Sequence, residues 1–144
     1  MFDNHVSFRI RYVENQWKMI DQAMEILSKA EEWSDELEGQ IRLIAEELCL
    51  NLLNHGANSK VPYFEAEITT SEAEVVFVLS DHGPKFDPLE DAPDPNVDAP
   101  LDERELGGLG VHIVRSLADG ISYKRDGERN VLRVVMKKGR AGSD

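Results

Sequence analysis

Cysteine is almost missing from this sequence. Cys49 stands alone, so no intrachain disulfide can form and a four-cysteine zinc site is excluded, which points to a reduced, cytoplasmic compartment. Positive charge is also scarce: 16 Lys and Arg face 28 Asp and Glu, and the net charge of -12 argues against a nucleic-acid backbone or an anionic membrane surface as partner. A protein partner, or a ligand whose charge a metal masks, matches better. Long apolar runs are lacking too. The longest, Val75 to Leu79, is far too short to span a bilayer, and Met1-Phe2-Asp3-Asn4-His5 has none of the basic and apolar character of a secretory leader. What is present is apolar content of 41%, enough for one globular domain over residues 1–144.

Val6, Phe8, Ile10 and Tyr12 alternate with Ser7, Arg9 and Arg11, the period of a strand with one covered face. From Glu14 to Glu32, Trp17, Ile20, Met24 and Leu27 recur at three and four residues and predict an amphipathic helix. Ser34 is the N-cap candidate of a second helix, with Asp35 and Glu36 in its first turn and Gly56-Ala57-Asn58 as its stop. Val61 to Thr70 and Glu74 to Ser80 read as an antiparallel hairpin around Ser71-Glu72-Ala73. Its second strand is apolar on both faces and is expected at the centre of the sheet. Between Pro84 and Leu106 the composition changes abruptly, with five of the six prolines and a crowd of acidic residues. Such a segment is either a disordered excursion or a lid ordered by a ligand. A helix through Ala118 and two strands, Ile121 to Arg125 and Val131 to Lys137, complete the order, and the polar end over 138–144 is expected to fray.

Three stretches carry chemistry. In the second helix, at about 100° per residue, Glu47, Asn51, Asn54 and His55 share one arc while Leu48, Cys49, Leu52 and Leu53 cover much of the rest. Burying such polar groups without partners costs about 1–3 kcal/mol each, so the stripe requires a ligand, a metal or a hydrogen-bond network beside it. Just after the central strand, Asp81-His82-Gly83 places a carboxylate at a strand end and a glycine where backbone can approach closely, a seat for a flat heterocycle with an exocyclic amine; it is also an ordinary turn. Gly107-Gly108-Leu109-Gly110 precedes the apolar Val111, Ile113, Val114 and Leu117, so a glycine-rich turn and the positive end of a helix could hold a phosphate. This is not a Walker A motif, because no Lys-Ser or Lys-Thr follows the last glycine.

The order of these pieces (polar helix, strand ending in Asp-x-Gly, long loop, glycine-rich helix start, two final strands) resembles the GHKL (Bergerat-fold) ATP-binding family. Within it, the chain is similar to the stand-alone anti-sigma-factor serine/threonine kinases of the RsbW and SpoIIAB type, over nearly all 144 residues. The resemblance implies ATP and Mg2+ as cofactors. It implies that Glu47 is the general base, that Asn51 ligates magnesium, and that His55 lies one turn further on, against the nucleotide loop or in catalysis. Asp81 would accept the adenine amino group, Gly83 would let the base approach, and Gly107, Gly108, Leu109 and Gly110 would wrap the phosphates under a lid over 84–106. Lys85 or Arg104 could screen phosphate charge. Two positions depart from the family pattern. Lys85 replaces a second glycine of the Asp-x-Gly-x-Gly motif, and Asn130 stands where Thr or Ser is common, with an amide that could still bond towards adenine.

The implied activity is a kinase that phosphorylates an anti-sigma-factor antagonist of the STAS type and sequesters a sigma factor until its partners switch. The alternative is a non-catalytic nucleotide-binding module that regulates a protein partner without phosphoryl transfer. A histidine-kinase catalytic fragment is a third reading, with no separate pair of dimerisation helices apparent. The fold expected is α+β, a two-layer sandwich with a mixed, mainly antiparallel sheet, helices on one face and a long ATP lid. Its uncovered sheet face makes a homodimer an expectation.

Overall fold

The computed structural model describes residues 4–13, 15–54, 59–89 and 106–139, with the backbone alone for 106–110. The elements run β1 (Asn4–Arg11), α1 (Lys18–Glu31), α2 (Asp35–Asn54), β2 (Tyr63–Thr70), β3 (Glu74–Asp81), α3 (Leu106–Leu117), β4 (Gly120–Asp126) and β5 (Arg129–Lys137). The strands form one sheet in the order β1-β2-β3-β5-β4. Every pairing among the described strands is antiparallel, which corrects the expectation of a mixed sheet. The reason lies in the connections: two tight hairpins, β2-β3 and β4-β5, each reverse the chain, and the return through α3 leaves β5 running against β3.

Strand alternation decides which sheet face is covered. Ile10, Phe64, Phe77 and Val134 point inward and are fully buried against α1, α2 and α3 through Ile20, Ile44 and Val114. On β3, Val75, Phe77 and Leu79 are buried, whereas Val76 and Val78 on the opposite face are half-buried. The central place expected for this strand holds.

Local chemistry fixes the ends of the elements. The first helix begins later than its apolar period suggests, because Asn15 takes a left-handed φ of 69° and Gln16 accepts a hydrogen bond from the Arg11 amide at 2.6 Å. It ends at Glu32, also left-handed, where the Trp33 amide donates to the Ser28 carbonyl. Ser34 caps α2 as expected: its hydroxyl accepts from the Leu37 amide at 3.1 Å. Arg42 ties α2 to α1 with two 2.8 Å hydrogen bonds to Asp21, and a further 2.8 Å bond to Glu38 one turn back on α2 orients its guanidinium.

The carboxyl-terminal end is pinned further along than its polar composition suggests. Lys138 donates its amide to Ala73 at 2.8 Å and its ammonium to Glu31 at 2.7 Å, so the chain is held as far as Lys138; residues 140–144 of the tail expected to fray lie outside the described residues. No helix among the described residues is long and apolar enough to cross a membrane.

Candidate functional site

The apolar side of α2, the ends of β3 and β5, and the backbone after β3 enclose a cavity of about 200 Å³. Pockets that hold whole drug-sized ligands run to roughly 300–1,000 Å³, so this one admits a body the size of a nucleobase. Leu48 and Leu52 form its α2 wall, Leu79 and Leu132 its floor on the sheet. Asn51 and Asp81 both face it, one from the helix and one from the last residue of β3. Asn51 is half-buried, and no described residue hydrogen-bonds to its carboxamide.

Asp81 is held on one side only. Its Oδ1 accepts from the Gly83 amide at 2.9 Å and from the Asn130 amide at 3.0 Å, while Oδ2 accepts from no described residue. Gly83 sits tightly against Asp81 in this turn. A Cβ there would meet Asp81 Oδ1 at 3.0 Å, so the glycine makes room for the carboxylate as well as for anything in the cavity.

Asn130 lines the cavity, but its amide does not reach into it as a donor. Both Nδ2 hydrogens are engaged, one by Asp81 and one by the Pro84 carbonyl at 2.9 Å. Its Oδ1 accepts from the Tyr123 hydroxyl at 2.6 Å, the Phe86 amide at 3.1 Å and Arg125 Nη1 at 3.3 Å. The expectation that this amide bonds towards adenine is therefore corrected: the neighbouring turn and carboxylate already use its donors.

The same bonds change the reading of the loop. Its first residues, 84–89, form a fixed wall to which Lys85, Phe86 and Pro88 contribute, with Arg115 donating to the Leu89 carbonyl. Residues 90–105, including Arg104, lie outside the described residues. Lys85 lines the cavity.

Glu47 lies one turn before Asn51 on α2 and is not among the residues that line the cavity. Burial pushes its carboxyl above the ordinary range, and the charge of neighbouring Glu46 adds to this. Glu46 itself is exposed. Gly107, Gly108, Leu109 and Gly110 fall inside the first turns of α3, which starts at Leu106, rather than in a turn before it. Of these four, only the amides of Gly107 and Gly108 fall among the donors at the helix opening that have no acceptor within the helix, the arrangement that favours an anion. His55 lies outside the described residues.

Sequence reading missed the aromatic walls. Tyr12 and Tyr123 both line the cavity, and burial raises the pKa of each hydroxyl. The only signal in the sequence was phase: Tyr12 continues the inward alternation of Phe8 and Ile10, and Tyr123 that of Ile121.

Comparison with known proteins gives a family match and a fold match. The family model of the histidine kinase-like ATPase domain matches residues 12–136. Among solved structures, the Acinetobacter baumannii histidine kinase AdeS aligns with a TM-score of 0.54 and 14% sequence identity, over 97% of this chain and 70% of that one. At that identity the likeness concerns the fold alone. No curated protein matches the chain.

Proposed function

Because this chain belongs to the histidine kinase-like ATPase domain family, we propose that it binds ATP in the cavity between α2 and β3 and transfers the γ-phosphoryl group to a serine or threonine of a protein partner. One observation carries the reading. Asn51 and Asp81, 30 residues apart in sequence, present unengaged hydrogen-bonding capacity to a single base-sized cavity. Asp81 Oδ2 would accept the exocyclic amine of adenine, while Leu48, Leu79 and Leu132 contact the flat faces of the ring.

Magnesium suits the donors present. Among the described residues no group of three His, Cys, Asp or Glu could cage a metal by itself, and the lone carboxamide oxygen of Asn51 matches an ion that takes most of its shell from water and phosphate. When bound, it would neutralise phosphate charge during transfer. Glu47, one turn away, takes the proton of the attacking hydroxyl. That oxygen bonds to the γ-phosphorus as the bond to the β,γ-bridging oxygen breaks, leaving ADP and a phosphorylated side chain.

The partners that fit this reading are an anti-sigma-factor antagonist of the STAS type as phosphoryl acceptor and a sigma factor as the alternative binding partner, in the reduced cytoplasm. A homodimer through the open sheet face is part of the same proposal. Incubation with γ-labelled ATP, Mg2+ and a co-encoded antagonist tests it. Label on serine or threonine of the antagonist is the expected result, and ATP binding with no label on any co-encoded partner would favour a regulatory module without transfer.

A further inference from the structure

We propose that Asn130, held by Tyr123, is the positioning residue that makes Asp81 selective for an exocyclic amine. The inference rests on the nucleotide reading above and adds a role for residues that reading does not use.

The strands bring these groups together by register. Asp81 on β3 lies opposite Asn130 on β5, and Asn130 lies opposite Arg125 on β4. Asn130 is only 7% exposed, so each of its polar atoms needs a partner within the protein. It has them, and they are arranged asymmetrically. Three donors, the Tyr123 hydroxyl, the Phe86 amide and Arg125, converge on Oδ1. Two acceptors, Asp81 Oδ1 and the Pro84 carbonyl, take the hydrogens of Nδ2. Turning the amide over would set NH2 against three donors and its oxygen against a carboxylate and a carbonyl. One orientation is thereby enforced.

The consequence falls on Asp81. A carboxylate free to rotate offers either oxygen in several directions. Here Oδ1 is fixed by Asn130 and by the Gly83 amide, so on this cavity-lining residue Oδ2 is the oxygen left to accept from a ligand, with no donor beside it from Asn130. A base carrying an exocyclic amine donates to it; a base with an oxo group in that place meets acceptor with acceptor. Arg125 adds to the lock from the other side, with Nη1 donating to the Gly83 carbonyl at 2.9 Å and thus holding the turn that presents Gly83 to Asp81. Tyr123 is the element that tells an orienting role from simple packing, because its hydroxyl can be removed while its ring stays in the cavity wall.

The test compares ATP with purine riboside triphosphate, which lacks the exocyclic amine, by titration calorimetry on the full chain. Wild type is expected to prefer ATP by about tenfold or more, the size of one hydrogen bond to a charged group. Asn130→Asp, which sets a carboxylate against Asp81 and Pro84, is expected to bring the preference close to unity, and Tyr123→Phe to reduce it in the same direction. In both variants the loss should fall on ATP more than on purine riboside triphosphate, since that ligand does not use Oδ2. Equal weakening of both nucleotides would overturn the positioning role in favour of a structural one. So would full preference in both variants when Asp81→Ala abolishes it. A wild-type chain that binds the two nucleotides alike would overturn the nucleobase reading of the cavity, and this inference with it.

Discussion

Replacing Glu47 with alanine is expected to lower phosphoryl transfer by about 10²–10⁴-fold, the range for removal of a general base, while ATP binding persists. Glu47 stands off the base-sized cavity and one helical turn from Asn51, so its loss leaves the contacts to adenine in place. Its own environment argues that the variant folds. Burial, then the charge on Glu46, raises the Glu47 pKa. A carboxyl raised in the folded state favours folding when protonated, and that contribution is lost as pH rises through the folded value. At neutral pH the charged group therefore opposes folding, and Glu47→Ala should melt no lower than wild type. The base must be ionised to act, so wild-type transfer should fall on acidification from a pH above the ordinary glutamate range. Initial rates of label transfer across pH measure both effects. Glu46→Ala, changing an exposed neighbour about 100° away, should transfer normally. Normal transfer by Glu47→Ala would refute the assignment.

Glu31→Ala should destabilise the fold by about 3–5 kcal/mol, the cost of removing one member of a buried, hydrogen-bonded ion pair. The Glu31 side chain is fully buried and accepts four hydrogen bonds. Lys138 and Trp33 donate to Oε1 at 2.7 and 2.9 Å, and Asn4 and Thr70 to Oε2 at 2.5 and 2.6 Å. They come from both ends of the chain, the helix connection and β2, so one carboxylate joins the edge of the sheet to α1. Burial alone would raise its pKa, but the bonds from Lys138, Thr70, Asn4 and Trp33 outweigh it and hold the carboxyl below its ordinary value. Its contribution is present above the unfolded pKa and lost as pH falls through the folded one. Urea unfolding at neutral pH should show the loss, and the acid side of the wild-type stability curve should be steeper than that of Glu31→Gln. A variant as stable as wild type would show that the network contributes little.

Much of the fold follows from period and capping. The alternation of β1, the apolar run of β3 and the Ser34 cap are local signals, and tertiary packing agrees with each of them. Asp81 at a strand end and Asn51 on a polar stripe were legible for the same reason: each departs from an otherwise apolar pattern. The hubs were not. Asn130 and Glu31 gain their roles from donors that lie far apart in sequence, and register alone brings Asn130 opposite Asp81. The late start of α1 depended on a left-handed residue and a side-chain bond, neither of which has a periodic signature. The exclusively antiparallel pairing also depended on how α3 returns the chain, which no strand encodes by itself.

The central claim is that residues from α2 and β3 serve one nucleotide. Titration of ATP with Mg2+ into wild type, Asn51→Ala and Asp81→Ala tests it most directly. A single saturable event in wild type, weakened by about tenfold or more in each variant, is the result predicted. Absence of saturable binding in wild type, or binding that both substitutions leave unchanged, would contradict it.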